Sequence, residues 1–256
     1  MLFLPALLLA FTSCRHEAVT APANPKDTLL IYLMAGQSNM AGRGLIGPED
    51  TGTNPRILTM NATNEWELAR EPLDFYEPSI AGLSCGTSFA RTLLSAAPAN
   101  ARIGLIPCAI GSSSIEEWLS DYVRIVPLYT NLLTRAKAGM KTGVIKGILW
   151  HQGESDAEDM RAWDYSRNMQ LLIGKVRHDL GTDVPVYLAK LAAFTKRPNA
   201  SVVNSAIDET AAALPNVWVI ETADLSCNAD SLHFDANGQR IMGMRFAQAA
   251  KLWLKK

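Results

Sequence analysis

The sequence predicts an α/β domain in which a parallel sheet lies between helices. Two observations carry that prediction. Six runs of strand length recur along the chain, and most are nearly continuous in apolar residues, as in strands covered on both faces. Between most of them lie longer stretches whose apolar residues recur at helical spacing, the alternation expected of a parallel sheet. The 256 residues, 48% apolar and 19% charged, suffice for one large core.

The predicted strands are Leu29 to Met34, Arg56 to Met60, Arg102 to Cys108, Val144 to Trp150, Val184 to Leu191 and Val217 to Ile220. The predicted helices start with Thr87 to Ala97, striped by Phe89, Leu93 and Leu94. Asp121 to Ala138 follows, with Tyr122, Ile125, Val126, Tyr129, Leu132 and Leu133. Ala162 to Leu180 repeats Tyr165, Met169, Leu172, Ile173 and Val176, with Gly181 as a C-cap. Asn199 to Leu214 and Asn237 to Leu254 complete the set, giving one domain over residues 29–256.

Residues 1–14 read as an export signal. Met1 to Phe11 is apolar and too short to span a bilayer, Thr12 and Ser13 are small, and Cys14 follows. A small residue directly before Cys is similar to the lipobox of bacterial lipoproteins, which implies an acylated Cys14 and attachment to a membrane; an ordinary cleaved signal, with Cys14 incidental, is the plainer alternative. Residues 15–28, polar and rich in Pro and Ala, read as a tether. The expected location is periplasmic, outer-membrane or secreted. Three further cysteines, Cys85, Cys108 and Cys227, form no disulfide framework or zinc motif, and one bridge or three free thiols both fit. The net charge of −1 lacks the basic excess that nucleic acid requires, and no nucleic-acid partner is expected.

In such sheets ligands bind beyond the carboxyl ends of the strands. The first strand runs into Gly36-Gln37-Ser38-Asn39-Met40, where a Gly-flanked turn exposes a Ser hydroxyl; capping a helix is the plainer role for that Ser. After the third strand, Gly111 offers a backbone N–H to an oxyanion, and Ser114 with Glu117 has the pattern of a capping box. The fourth strand ends in His151-Gln152-Gly153-Glu154-Ser155-Asp156, a density of functional side chains that a solvated loop does not need. His151 and Glu154 lack further ligands for a metal. Near the C-terminus stands Asp230-Ser231-Leu232-His233, with an Asp three residues before a His and thus placed to orient its imidazole. Of four histidines, His16 lies in the tether and His178 among charged helix residues, which leaves His151 and His233 as candidate bases.

These four blocks, in this order, resemble those of the SGNH hydrolase superfamily. They are closest to its acetylxylan esterase and sialate O-acetylesterase-like branch, carbohydrate esterase family six. The resemblance implies a three-layer, flavodoxin-like fold with a five-stranded parallel sheet, and a serine esterase acting on acetylated carbohydrate without metal or cofactor. It implies Ser38 as nucleophile, His233 as base and Asp230 as orienting acid, with Glu154 as the alternative or additional acid. It also implies an oxyanion hole from the Ser38 and Gly111 N–H groups, with Gln152 as third donor in place of the usual Asn. Trp66, Tyr76, Trp118 and Trp163 are candidates to stack on sugar rings, and Arg43 to steer an acidic one. The competing expectations are a lipase or thioesterase on the same machinery, and a carbohydrate-binding lipoprotein without activity.

Overall fold

A computed structural model describes residues 29–254; the expected signal and tether lie outside the described residues. Seven strands form one sheet: β1 (Leu29–Gly36), β2 (Ile57–Met60), β3 (Trp66–Leu68), β4 (Arg102–Pro107), β5 (Val144–His151), β6 (Val186–Ala189) and β7 (Val217–Ile220). The helices are α1 (Ser38–Ala41), α2 (Gly86–Leu94), α3 (Ile115–Leu119), α4 (Leu128–Gly139), α5 (Tyr165–Leu180), α6 (Ala200–Ala213) and α7 (Ala236–Leu254).

Across the sheet the order is β3-β2-β4-β1-β5-β6-β7. The segment β4-β1-β5-β6-β7 keeps the flavodoxin-like order, in which the chain crosses from one side of β1 to the other. The implied five-stranded sheet is therefore corrected to seven strands. Beyond β4, β2 adds a parallel strand and β3 an antiparallel edge. The six apolar runs are the six parallel strands. β3 escaped notice because only Trp66 of its three residues is buried.

β1 is buried throughout, and its alternate residues feed two cores. Ile31, Leu33 and Ala35 pack with Trp118 of α3, Leu132 of α4, Met169 and Ile173 of α5 and Ile207 of α6. Leu30, Tyr32 and Met34 pack with Phe89 of α2 and with Met242 and Phe246 of α7 on the opposite face. This period of two is what a strand between two helical layers requires. Phe246 is fully buried, and truncating such a side chain to Ala costs about 3–5 kcal/mol.

Two predicted caps are formed. Gly181 closes α5 at φ 65°, its N–H donating to the carbonyls of Arg177 and His178, and Ser114 with Glu117 makes a reciprocal box at the start of α3. The predicted helix from Asp121 begins instead at Leu128. Pro127 disfavours helical backbone at Val126, and Tyr122, Val123 and Ile125 are left exposed on a loop.

Candidate active site

The carboxyl ends of β1 and β5 lie side by side at the point where strand order reverses. Gly36 ends β1 at φ 133°, and a Cβ there would stand 2.1 Å from the His151 carbonyl oxygen, so only glycine admits this approach. The next N–H, of Gln37, donates to that carbonyl at 3.0 Å. The Gln37 side-chain oxygen accepts from Gln152 Nε2 at 3.2 Å, the Gly153 N–H at 3.3 Å and the Ser155 N–H at 3.4 Å. The turn after β1 is thus stitched to the loop after β5, and Ser38 follows immediately.

Ser38 Oγ stands 3.0 Å from His233 Nε2, and His233 Nδ1 stands 2.7 Å from Asp230 Oδ2. A carboxylate only accepts, so the Nδ1 proton points at Asp230, and Nε2 is left to accept the Ser38 hydroxyl proton. Asp230 is held by its own loop: Oδ1 accepts from the Leu232 and His233 N–H groups, each at 2.9 Å, and Ser231 turns the chain at φ 53°. Burial pushes the Asp230 carboxyl up, but hydrogen bonds from the His233 backbone and ring and from the Leu232 N–H outweigh it and hold the group below its ordinary range.

Glu154 does not stand on His233. Its Oε1 accepts from Asn39 Nδ2 at 2.5 Å and lies 3.5 Å from His151 Nδ1. His151 is fully buried, edge-on to Phe234 at 5.4 Å, and burial lowers its pKa, so the ring stays neutral beneath the site. Of the two candidate bases, His233 is therefore the one that meets Ser38.

A cavity of about 170 Å³ opens over Ser38 and His233, lined also by Arg43, Glu77, Gly111, Glu154 and Arg197. Its walls carry two guanidinium and two carboxylate side chains beside the apolar Ile80 and Leu232, a small chamber of mixed polarity. The Gly111 N–H faces this space and donates to Glu77 Oε2 at 2.8 Å. Arg43 Nη2 donates to the same oxygen at 2.6 Å.

Gln152 does not line the cavity. Besides Gln37, its Nε2 donates to the Ser113 carbonyl at 2.8 Å and to Asp156 Oδ2 at 2.6 Å. It is fully buried, and its amide protons are used within the protein. Asp156, pushed up to about 6 by burial against these hydrogen bonds, also accepts from the Ile115 N–H. Gln152 thus ties the loop after β5 to the start of α3 instead of reaching toward the reacting atoms.

The aromatic candidates are not in the cavity lining either. Trp66 and Trp118 are buried in the core, Tyr76 accepts from Asn131, and Trp163 is exposed. Cys85 and Cys108 are buried free thiols, both pushed up by burial, Cys108 to about 11; Cys227 is also free. Glu77 and Arg197 escaped the sequence reading because they lie in stretches without motif or periodicity. Asn39 sat inside the quoted motif, and its polarity directly after the Ser was the available signal.

A family model described as carbohydrate esterase, sialic acid-specific acetylesterase, matches residues 28–251. A probable carbohydrate esterase of Arabidopsis thaliana is 32% identical over 256 residues, with 90% of this chain and 92% of the plant protein covered. The X-ray structure of the Arabidopsis protein superposes with a TM-score of 0.79 at 32% identity, covering 87% of this chain and 98% of that one. Two more distant structures share the fold. NanS has a TM-score of 0.73 at 19% identity, covering 93% and 100% of the two chains. A carbohydrate acetylesterase from Xanthomonas citri has a TM-score of 0.66 at 21% identity, covering 88% of this chain and 56% of its own.

Proposed function

Since the chain belongs to the sialic acid-specific acetylesterase family of carbohydrate esterases, we propose that Ser38, His233 and Asp230 are the machinery with which it removes O-acetyl groups from carbohydrate. The carrying observation is the unbroken relay from Ser38 Oγ through His233 to Asp230, set in a small cavity with charged side chains in its wall. His233 Nε2 takes the hydroxyl proton as Oγ attacks the acetyl carbonyl, and the negative charge gathers on the former carbonyl oxygen. Collapse breaks the bond to the sugar oxygen, which takes the proton back from His233. Water then repeats the cycle on acetyl-Ser38 and releases acetate. The Ser38 and Gly111 N–H groups are the proposed oxyanion donors. The charged lining favours a short acyl group on a polar alcohol over a lipid.

The same reading holds that the protein is exported and tethered by an acyl chain on Cys14, supported by the apolar run and the small residues before that cysteine. A mature N-terminus that begins at an acylated Cys14, read by mass spectrometry, is the expected result.

The test of function compares the wild type with Ser38→Ala on 4-nitrophenyl acetate, acetylated xylan and O-acetyl sialic acid. Acetate release by the wild type alone is expected. Equal activity in both proteins would show that Ser38 merely caps a turn.

A further inference from the structure

The Gly111 N–H is already taken. The Glu77 oxygen that accepts it at 2.8 Å also accepts from Arg43 Nη2 at 2.6 Å. Arg43 is itself fixed, with Nη1 donating to the Gly42 carbonyl at 2.8 Å and lying 3.7 Å from Asp74. With Gly111 as a proposed oxyanion donor, a carboxylate oxygen of the protein thus occupies the donor that the substrate's developing oxyanion would need. One N–H cannot direct a full-strength bond at both. The packing is close: a Cβ on Gly111 would stand 2.6 Å from Glu77 Oε1 and 2.7 Å from Oε2, so a side chain there would push the carboxylate aside.

Glu77 also separates two spaces. The catalytic cavity of about 170 Å³ and a neighbouring cavity of about 350 Å³ have Glu77 and Gly111 as their common lining. Ile110, Tyr122, Val123, Arg124 and Ile125 form the rest of the second one, with Tyr122 more than half exposed. A shift of Glu77 off Gly111 would free that donor at the boundary of the two spaces.

On the reading of the chain as a carbohydrate O-acetylesterase, we infer that Glu77 is a specificity-determining residue: its carboxylate fills the oxyanion subsite at rest and yields it to an ester whose alcohol brings hydroxyl donors into the second cavity. A sugar carries hydroxyls beside its acetyl group. These replace the lost Gly111 bond with charge-assisted hydrogen bonds, and the ring packs on Tyr122. An aryl acetate has no such donors, so it must displace Glu77 uncompensated. Arg43 and Gly111 share the acceptor Glu77 Oε2, so the displacement passes the Arg43 bond to Oε1; it moves no proton and breaks no covalent bond.

The test takes wild type, Glu77→Ala and Glu77→Gln through three measurements, with melting temperatures recorded alongside. These are kcat/KM on 4-nitrophenyl acetate, kcat/KM on acetylated xylo-oligosaccharides and O-acetyl sialic acid, and the rate at which a fluorophosphonate labels Ser38. Opening the subsite should raise both the aryl acetate rate and the labelling rate about tenfold, and lower sugar deacetylation about tenfold. Glu77→Gln should fall between, and it carries the test if the Ala variant does not fold. An unchanged ratio of sugar to aryl activity, or a parallel loss on all substrates in a folded variant, overturns the inference. Faster labelling in the variants with every acetylated sugar inert in wild type would keep the occupied subsite and defeat the carbohydrate reading. Unchanged labelling with sugar deacetylation intact would do the reverse.

Discussion

The side-chain oxygen of Asn39 accepts the Phe234 N–H at 3.0 Å, which joins the residue after the nucleophile to the residue after the base. The same amide donates to the Leu232 carbonyl at 3.1 Å, so Asn39 grips the backbone on both sides of His233. Its third bond, to Glu154, orients the amide and gives that buried carboxylate a hydrogen-bond donor. Asn39→Ala leaves these groups without their partner, at about 1–3 kcal/mol for each buried orphan. Because His233 loses its anchors, kcat should also fall by about 10²-fold. Asn39→Asp, which sets a second carboxylate against Glu154, should do worse on both counts. Urea midpoints and turnover on 4-nitrophenyl acetate measure the two effects; full activity in Asn39→Ala would remove the clamp from the account.

Replacing Asp230 by Asn removes the acceptor that fixes the His233 tautomer. A loss of kcat on the order of 10³–10⁴ is expected, with little change in stability because Asp230 is exposed. Glu154→Gln should leave the His233 contact intact and lower turnover far less. The reverse ranking of the two variants would return Glu154 to the acid's role.

Gln152 offers a choice between two roles with different signatures. From its bonds to Ser113 and Asp156, Gln152→Leu should lower the melting temperature by several degrees, at roughly 2–4 °C per kcal/mol lost. At 20 °C the folded variant should retain kcat within about tenfold of wild type. An oxyanion donor would instead cost about 10²–10³ in kcat with the melting temperature unmoved.

Glu71 gives the protein a pH-dependent stability. Burial pushes its carboxyl from 4.5 up to about 7, against hydrogen bonds from Thr87 and Ser84. The folded chain then binds more protons than the unfolded one between these values, so stability falls as pH rises through that window. The full loss is about 3 kcal/mol above pH 7. Glu71→Gln should lack this slope, and urea midpoints at pH 5 and pH 8 would decide it; parallel curves for the two proteins would dismiss Glu71 as the source.

The sequence revealed the sheet's parallel strands because each is an apolar run between helical stretches, and it revealed Ser38, Asp230 and His233 because their spacing has a chemical reason. The spacing of Tyr122 and Ile125 matches a helical stripe, yet Pro127 keeps the preceding residues out of helix α4, which begins at Leu128. Gln152 was read from its position in a motif, whereas its direction depends on Asp156 and Ser113, partners that only the folded chain brings together. Glu77 carries no local signature at all. Its importance comes from Arg43 and Gly111, each 34 residues away.

The nucleophile and its base lie 195 positions apart, one in the turn after the first strand and the other in the loop that leads into the last helix. A chain made from its N-terminus therefore carries its serine for most of its synthesis with no imidazole to activate it. The loop bearing His233 leads into α7, which packs against α2 in the same core. A copy cut short before residue 233 thus carries the nucleophile without its base.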